Sequence, residues 1–564
     1  MEAVQDPVQV QPVDLKKPER LSRWLQFPRR VVFLGLAFGL FLGLITMMRT
    51  DLLARVRSTP YNLPAEEIWI RGQNSFRIIW IAFAIALLLS LVTMVIAYFV
   101  LRSEAKGGFF GSLLRALGRM WIFADISLPA FALGLFLIWI FAIRLELLPP
   151  AGMFSPNNDN PTDRLRHLIL PVLAMAFMLS GISALSVTRR MISSTQKGSR
   201  RWAGGILRLL AAFFRQTGGI LSGIIILEAV FSWPGIGHLL RGSIGIGAFE
   251  TIFSIAIFMA EVILAGRLLS ELFEWLAVLT DPETSAPPEP DRSLKKRRRG
   301  WLIFTLILLA VTLFFMVYGS MVSKEAINAI DPSGKLQDPS ADHLLGTDAV
   351  GRDIWLRIAR GTVNTFRVAL AAAATVTPVA FGFGLLAGWL ARKKRLWADL
   401  LADLILLPAD AGLFLPVVVA GAIIILEGTA QTRGDQPVLA VVLAICLAIL
   451  PRSIRFMAHA WADAPDGKIP KRVIGAVPSM LLGSLFAGFA ALTALDFLGM
   501  GFNPTVVSLG RTLVDIMMYS FSTGSMGMVV AIMILWFCLW TFFLTAEALL
   551  EGWLDKRAIS WLNS

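Results

Sequence analysis

Residues 301–318 of this chain read Trp-Leu-Ile-Phe-Thr-Leu-Ile-Leu-Leu-Ala-Val-Thr-Leu-Phe-Phe-Met-Val-Tyr, eighteen residues without a single charge. An α-helix rises about 1.5 Å per residue, so this stretch approaches the length that crosses about 30 Å of hydrocarbon. Residues 31–48 and 526–544 form comparable apolar stretches, and the alternating pattern of a membrane β-barrel is absent from the sequence. These blocks predict an all-α membrane protein with several spans.

The composition agrees with lipid as the main solvent. Of 564 residues, 56% are hydrophobic and 16% are charged, with a net charge of +13. The basic residues lie in short runs beside apolar blocks rather than on one aromatic-rich face, which favours membrane orientation over nucleic-acid binding. Cys446 and Cys538 lie far apart in apolar stretches, so we expect two small core residues and no metal site or other cofactor.

The apolar blocks predict about twelve spans in two sets of six. The first set is 31–48, 78–101, 121–143, 167–187, 206–230 and 251–279. The second set is 301–318, 366–389, 400–426, 438–450, 477–495 and 526–549. We therefore divide the chain into an N-terminal tail (1–27), a first six-span unit (28–282), a basic linker (283–300) and a second unit (301–564).

Orientation follows from the distribution of Lys and Arg, which are retained on the cytoplasmic side. With the N-terminus inside, the cytoplasmic segments are all basic: 102–119, 189–201, the linker, 392–395 and 452–472. Residues 49–77 are more basic than the rule prefers for an outer segment. The first 27 residues are polar and no cleavable signal peptide is expected. We predict a bacterial-type inner-membrane protein with both termini in the cytoplasm.

Three short sequence motifs recur in the same order in the two units. Ala-Asp-Ile-Ser-Leu-Pro-Ala at 124–130 is echoed at 402–409, and Pro-Val-Leu-Ala at 171–174 returns at 437–440. Phe-Ser-Trp-Pro-Gly-Ile-Gly at 231–237 corresponds to Asp-Phe-Leu-Gly-Met-Gly at 496–501. This order indicates an internal repeat. Six spans per unit make the two halves parallel, with a pathway expected between them.

Residues 346–353, Gly-Thr-Asp-Ala-Val-Gly-Arg-Asp, resemble the signature of the second permease subunit of dipeptide, oligopeptide and nickel ABC importers. In the first unit, Glu-Ala-Val-Phe-Ser-Trp-Pro-Gly at 228–235, Leu-Leu-Pro-Pro-Ala-Gly at 147–152 and Leu-Thr-Asp-Pro at 279–282 are similar to the partner subunit. The chain thus resembles two such permeases fused into one polypeptide, each with the six-helix fold of a type I ABC importer.

The resemblance implies a channel between two halves, cytoplasmic ATPase subunits below it and an extracytoplasmic solute-binding protein that delivers the substrate. The sequence has no Gly-x-x-x-x-Gly-Lys-Ser/Thr phosphate loop, so we expect no ATP hydrolysis by this chain alone. The family's Glu-Ala-Ala coupling motif is missing, and both corresponding loops are short. The coupling candidates are Lys197, Gly198, Arg200, Arg201, Ala462, Asp463, Gly467 and Lys468.

Ionisable residues inside apolar blocks are candidates for a gate or pathway, because charge is costly in hydrocarbon. Asp125 and Asp403 are repeat-related and could line the pathway as a pair, or lie at span ends neutralised by Arg119 and Arg395. Glu228 is expected to have a structural role at the turn that follows its span. The Gly- and Pro-broken segments after the fifth and eleventh spans predict either a re-entrant gate or surface turns, with the candidates Trp233, Pro234, Asp496 and Phe497.

The signature residues Gly346, Thr347, Asp348, Gly351, Arg352 and Asp353 allow two interpretations. They could contact a binding protein, or Thr347 or Asp348 could cap the helix that leads into the eighth span. Three functions remain open: a permease for small peptides or similar solutes driven by separate ATPases, a degenerate permease that acts as a membrane scaffold, and a secondary transporter. No arrangement of residues suggests catalysis.

Overall fold

A computed structural model of the chain describes residues 17–55, 65–102, 130–156, 158, 160–193, 199–280, 294–393, 395–414, 416, 418–424, 438–462, 469–499 and 506–515. These residues are overwhelmingly helical and contain no named strand; two isolated bridges join Ser155 to Asn158 and Thr347 to Asp353. The prediction of an all-α membrane protein is confirmed.

Fourteen α-helices lie wholly within the described residues, and residues 418–424 and 509–515 are also helical. The first half contains α1 (Lys17–Arg55), α2 (Ala65–Arg102), α3 (Ala130–Leu137), α4 (Pro161–Ser193), α5 (Ser199–Arg215), α6 (Thr217–Val230), α7 (Ile236–Gly245) and α8 (Phe249–Thr280). The second half contains α9 (Leu294–Met321), α10 (Lys324–Asn328), α11 (Ile354–Ala391), α12 (Leu396–Gly412), α13 (Val438–Ala462) and α14 (Ile469–Phe497).

Six helical segments of the described chain are long and apolar enough to cross a membrane. They are Phe27–Thr50, Glu66–Thr93, Phe249–Thr280, Ile354–Ala391, Val438–Ala462 and Val473–Phe497. A bent pair raises this number to seven, and Leu133–Arg144 and Thr305–Met321 are shorter apolar helices. The total of twelve spans stays a prediction, because the region of the twelfth span lies outside the described residues.

The predicted span 206–230 is two helices rather than one. Helices α5 and α6 meet at Gln216 with a bend of 56°. Thr217 follows the bend, its hydroxyl donates to the Phe214 carbonyl (2.6 Å), and a Cβ on Gly266 of α8 would approach that hydroxyl to 2.1 Å. A Thr hydroxyl that bonds a carbonyl of the preceding turn often bends a helix, and Gly266 of α8 leaves room for this side chain.

Two further boundaries differ from the sequence prediction. The described part of the third predicted span is α3 followed by a π-helical segment, Ile138–Arg144. Helix α9 begins at Leu294, so the basic run 295–299 of the predicted linker forms its first turns. Single π-helical turns inside apolar helices are uncommon and often lie near functional regions.

The buried core joins the two halves. One apolar cluster contains Phe131 and Phe231 of the first half together with Phe315 and Phe497 of the second. A second cluster combines Phe253 of α8 with residues of α12, α13 and α14. Within the halves, α2 packs on α4, and α11 packs on α13 and α14, while α1 packs on both α8 and α12. Helix α1 thus contacts both halves.

Candidate gate and signature region

The turn after α6 is organised around the buried carboxylate of Glu228. Its side chain is fully buried. The Ser75 hydroxyl of α2 donates to Oε1 (2.5 Å), and the Gly237 amide donates to Oε2 (2.5 Å). The Ile236 amide in turn donates to the Ser75 hydroxyl (2.9 Å). A buried carboxylate is tolerated when its oxygens accept such bonds, so Glu228 fixes the start of α7 to α2.

Trp233 and Pro234 attach the same turn to α2 by a second route. The Trp233 ring is almost completely buried, and its Nε1–H donates to the Asn74 carbonyl (3.1 Å). The Asn74 side-chain amide donates back to the Pro234 carbonyl (3.0 Å). The turn is therefore bonded to consecutive residues of one helix turn, Asn74 and Ser75.

Two positions of this turn require glycine because neighbouring atoms occupy the space that a Cβ would need. A Cβ on Gly235 would lie 2.1 Å from the Glu228 carboxylate, and a Cβ on Gly237 would lie 2.6 Å from the Ile225 Cα. Ser232 has a φ of 49°, a left-handed conformation that costs energy for a residue with a side chain. Phe231, Trp233 and Gly235 are buried, whereas Ser232 is exposed. The turn therefore packs against protein on one side, and the re-entrant gate stays a proposal.

The corresponding segment of the second half follows α14. Asp496 and Phe497 are buried, and the Phe497 ring lies 6.0 Å from the Phe131 ring of the first half. A cavity of about 240 Å³ borders this segment and contacts both halves. Its lining residues are Arg241 of α7 together with Asp496, Phe497, Gly499, Arg511, Val514 and Asp515. Helix α7, which follows the first broken segment, and the broken segment of the second half therefore border the same cavity.

The signature loop before α11 is a tight hydrogen-bonded turn. The Thr347 hydroxyl donates to the Gly334 carbonyl (2.5 Å) and accepts from the Gln337 amide (2.9 Å). Gly346 and Gly351 have φ values of 77° and 83°, and a Cβ on Gly351 would lie 1.9 Å from the Asp331 carbonyl oxygen. Glycine is required at these positions because only glycine adopts this backbone without strain.

The residue that caps α11 is Asp353, so the assignment of this role to Thr347 or Asp348 is wrong. The Asp353 carboxylate accepts from the Leu356 amide (3.0 Å), while its other oxygen lies 2.8 Å from Nδ1 of His343. Asp348 instead accepts from the amides of Val350 and Arg352 in its own loop. The reason is geometric: the loop turns back on itself between Asp348 and the first helical residue.

Arg352 connects the signature loop to Asp515, which lies after α14 in the second half. Its Nε donates to Asp348 (2.7 Å), and its Nη2 lies 3.5 Å from Asp515. Arg357 of α11, almost fully buried, donates to the same Asp515 (2.9 Å), and Arg511 lies 3.2 Å from it. Asp515 and Arg511 also line the cavity described above. The signature residues thus form a structural network beside the candidate gate.

The acidic loop between α9 and α11 carries Asp331 outside the membrane-spanning segments. The Ser333 hydroxyl and amide, followed by the Gly334 amide, donate to this residue and hold the pKa of its carboxyl below the usual range. Because Gly351 of the signature loop packs on the Asp331 carbonyl, the turn at Asp331 supports the signature loop.

Asp403 of α12 pairs with Arg29 of α1, not with the predicted Arg395. Arg29 Nε donates to Asp403 (2.7 Å), and Arg29 Nη1 lies 3.5 Å from Asp399. The sequence prediction of Arg395 is wrong because it considered only neighbours in the chain, whereas α1 packs across on α12. Asp125 lies outside the described residues, so its pairing with Asp403 in a pathway stays a prediction.

The coupling candidates are only partly described. Arg200 and Arg201 lie in the first turn of α5, and Ala462 is the last residue of α13. Lys197, Gly198, Asp463, Gly467 and Lys468 lie outside the described residues. Much of each predicted loop is helical, because α4 continues to Ser193 and α5 begins at Ser199, while α13 continues to Ala462 and α14 begins at Ile469. A role of these segments in coupling stays a prediction.

Several residues of these sites were not predicted. Asn74 and Ser75 form hydrogen bonds with the gate turn, and Arg29 pairs with Asp403. Asp515 forms ion pairs with the arginines of the signature region. The polar run Gln73-Asn74-Ser75 just before the apolar block of α2 was the available signal for the first two. Nothing in the local sequence indicates that Asp515 pairs with Arg352 and Arg357.

Comparison with known proteins identifies relatives that are similar to this chain over part of their length. The glutathione transport system permease protein GsiC of Shigella flexneri serotype 5b is 30% identical over 168 residues, 27% of this chain and 52% of that protein. Its counterpart in Escherichia coli K12 is 29% identical over the same length. A Brucella ovis protein whose name provisionally assigns it to the peptide permeases is 27% identical over 207 residues, 34% of this chain and 62% of that protein.

No family model matches the chain. The chain spans between about half and three fifths of the length of these curated relatives. Its similarity therefore covers a part of each protein rather than the whole. Over that part, the chain is a relative of permease proteins of glutathione and peptide transport systems.

Proposed function

We propose that this chain is the transmembrane permease of an ABC importer for small peptides or similar solutes. It works by alternating access, and separate cytoplasmic ATPase subunits supply the energy. An extracytoplasmic solute-binding protein delivers the substrate, and both termini lie in the cytoplasm. The similarity to permeases of glutathione and peptide transport supports this function.

The observation that carries the proposal is the packed turn after α6. The Glu228 carboxylate, just before this turn, accepts a hydrogen bond from Ser75 of α2. Arg241 of α7, the helix after the turn, lines the same cavity as Asp496 and Phe497 of the other half. A gate between two halves needs irregular backbone that protein covers, and it needs a segment from each half. Arg241 of α7 borders the cavity from the first half, and Asp496 and Phe497 border it from the second, which supports a gate between the halves.

The arrangement of helices supports a fused pair of permease units. In the first half α2 packs on α4, and in the second half α11 packs on α13. These pairs occupy the same places in the two predicted sets of six spans. The equivalent packing is expected if each half is one permease unit and the pathway runs between them.

A second candidate is a degenerate permease that acts as a membrane scaffold. The sequence observation in its favour is the pair of short coupling loops without Glu-Ala-Ala, in which Pro465 and Gly467 disfavour a helix. A permease without a rigid coupling element would receive no force from an ATPase. The two candidates differ in whether a nucleotide-binding protein stays bound.

The test is purification of the tagged full chain from its native host in mild detergent, with mass spectrometry of bound proteins and an ATPase assay. Stoichiometric ATPase subunits, released when residues 197–201 and 462–468 are replaced by Gly-Ser linkers, would support the importer. The matched control replaces the exposed outer residues 338–342, which should leave the complex intact. A complex without any nucleotide-binding protein would overturn the importer and support the scaffold.

A further inference from the structure

The turn between α11 and α12 concentrates positive charge at the end of a helical hairpin. Its sequence, residues 392–395, is Arg-Lys-Lys-Arg, and no acidic residue lies between 390 and 398. The next carboxylate, Asp399, lies 3.5 Å from Arg29. Lys393 and Arg395 are exposed, and neither forms an ion pair with any residue that the structure describes.

Two exposed tryptophans flank this turn. Trp389 lies in the last turn of α11 and Trp397 in the first turn of α12, with 45% and 47% of their surfaces exposed. The Lys393 ammonium lies 3.6 Å from the centroid of the Trp389 ring and 5.2 Å from that of Trp397. A cation over the face of an indole ring is attracted to the ring. The Lys393 ammonium therefore lies at the same depth in the membrane as the two tryptophans.

The surfaces that continue from the turn are apolar. Phe383 and Leu386 are exposed on α11, and Leu400, Leu401 and Leu404 are exposed on α12. Helix α11 is long and apolar enough to span the membrane, so its exposed apolar side chains face hydrocarbon. Tryptophan is enriched where hydrocarbon meets the headgroups. The Trp389–Trp397 pair therefore marks the level of the lipid headgroups, and the unpaired charges of Lys393 and Arg395 lie at that level.

We propose that this hairpin end, formed by Trp389, Lys393, Arg395 and Trp397, is a binding site for the phosphate of an anionic phospholipid. The occupant is a phosphatidylglycerol-type lipid, because the apolar faces of α11 and α12 accept acyl chains and the turn supplies positive charge without a carboxylate. A zwitterionic lipid carries no net charge for these residues to attract. The site is distinct from the candidate gate and does not depend on transport.

The test is native mass spectrometry of the purified full chain in detergent, titrated with phosphatidylglycerol or with phosphatidylcholine of the same acyl chains. Wild-type protein should bind phosphatidylglycerol in preference. Lys393→Gln and Arg395→Gln should each weaken that binding by about fivefold, and together by about 25-fold, since each basic residue near an anionic surface contributes roughly 1 kcal/mol. Phosphatidylcholine binding should not change.

The matched control is Lys335→Gln, which removes one charge from an exposed lysine of the loop between α9 and α11. It should leave binding of both lipids unchanged. Trp397→Leu, which keeps the charges, should weaken phosphatidylglycerol binding less than Lys393→Gln. Equal binding of the two lipids by wild-type protein, an equal loss in the control, or displacement of the lipid by excess soluble glycerol phosphate would each overturn the proposal.

Discussion

At the scale of single residues, Glu228 determines the conformation of the candidate gate. Its carboxylate is buried and accepts from Ser75 of α2 and from the amide of Gly237, at separations in sequence of 153 and 9 residues. One side chain thus ties a distant helix and a local turn together. Residues with such a double function are sensitive to substitution, because removing them leaves several buried donors without acceptors.

Glu228→Ala should lower the free energy of unfolding by roughly 2 to 4 kcal/mol, since the Ser75 hydroxyl and the Gly237 amide would lose their acceptor. The measurement is the unfolding transition of the purified protein in detergent. Glu261→Ala, which removes an exposed carboxylate from α8, is the matched control and should have little effect. Equal transitions for the two variants would contradict the role of Glu228.

Gly237→Ala should also destabilise the protein, by about 1 to 3 kcal/mol, because the new methyl group would overlap the Ile225 backbone at 2.6 Å. Gly242→Ala on the same helix is the control, since a Cβ there meets nothing within 4 Å. The control should be neutral or slightly stabilising, as alanine is the better helix former. A stable Gly237→Ala protein would show that α7 does not pack as described.

At the scale of elements, the exact helix boundaries depend on packing as well as on residue type. Asp353 caps α11, and the bend at Gln216 separates α5 from α6. The sequence predicted a cap in this loop and a span through residue 216, but chose the wrong capping residue and missed the bend. Both depend on how the loop or the neighbouring helix packs, and a pattern of residue types does not contain that information.

Asp353→Ala should destabilise the first turn of α11 by about 1 kcal/mol, the usual cost of losing an N-cap acceptor. Hydrogen exchange at the amides of residues 354–357 should become faster. Asp342→Ala, which removes an exposed carboxylate from the same loop, serves as the control and should leave this exchange unchanged. Faster exchange in both variants would indicate a general effect of charge rather than capping.

At the scale of the whole molecule, the two halves are joined by packing and by charge. Phe131 contacts Phe497 across the halves, and Arg29 of α1 pairs with Asp403 of α12, 374 residues away. About two thirds of both charged side chains is buried, so their attraction is only partly screened by solvent. The N-terminal helix therefore helps to hold the second half against the first.

A double-mutant cycle should detect this link. Arg29→Gln and Asp403→Asn should each destabilise the protein, and the double variant should lose less than their sum, with a coupling free energy of a few tenths to about 1 kcal/mol. The same cycle between Arg49 and Asp403 is the control, because Arg49 lies near the other end of α1 and pairs with Glu250. Absence of coupling between Arg29 and Asp403 would mean that the contact does not hold the halves together.

The sequence alone determined the properties that arise from neighbouring residues. An uncharged stretch such as 301–318 must be helical in lipid, because its backbone groups find no water there. The positions of the broken segments after α6 and α14, and the glycines of the signature loop, also follow from local composition. The apolar pattern therefore predicted the fold class and the approximate place of the long apolar helices, but not the short helices α7 and α10.

Only the tertiary structure decided which distant residues meet. Glu228 with Ser75, Arg29 with Asp403, and Arg357 with Asp515 lie between 153 and 374 residues apart. Each charge or carboxylate could have been neutralised by many partners of the right type, as the wrong prediction of Arg395 for Asp403 illustrates. The choice among them depends on how the helices pack, because a hydrogen bond or ion pair forms only within about 4 Å, a distance that packing sets and local sequence does not.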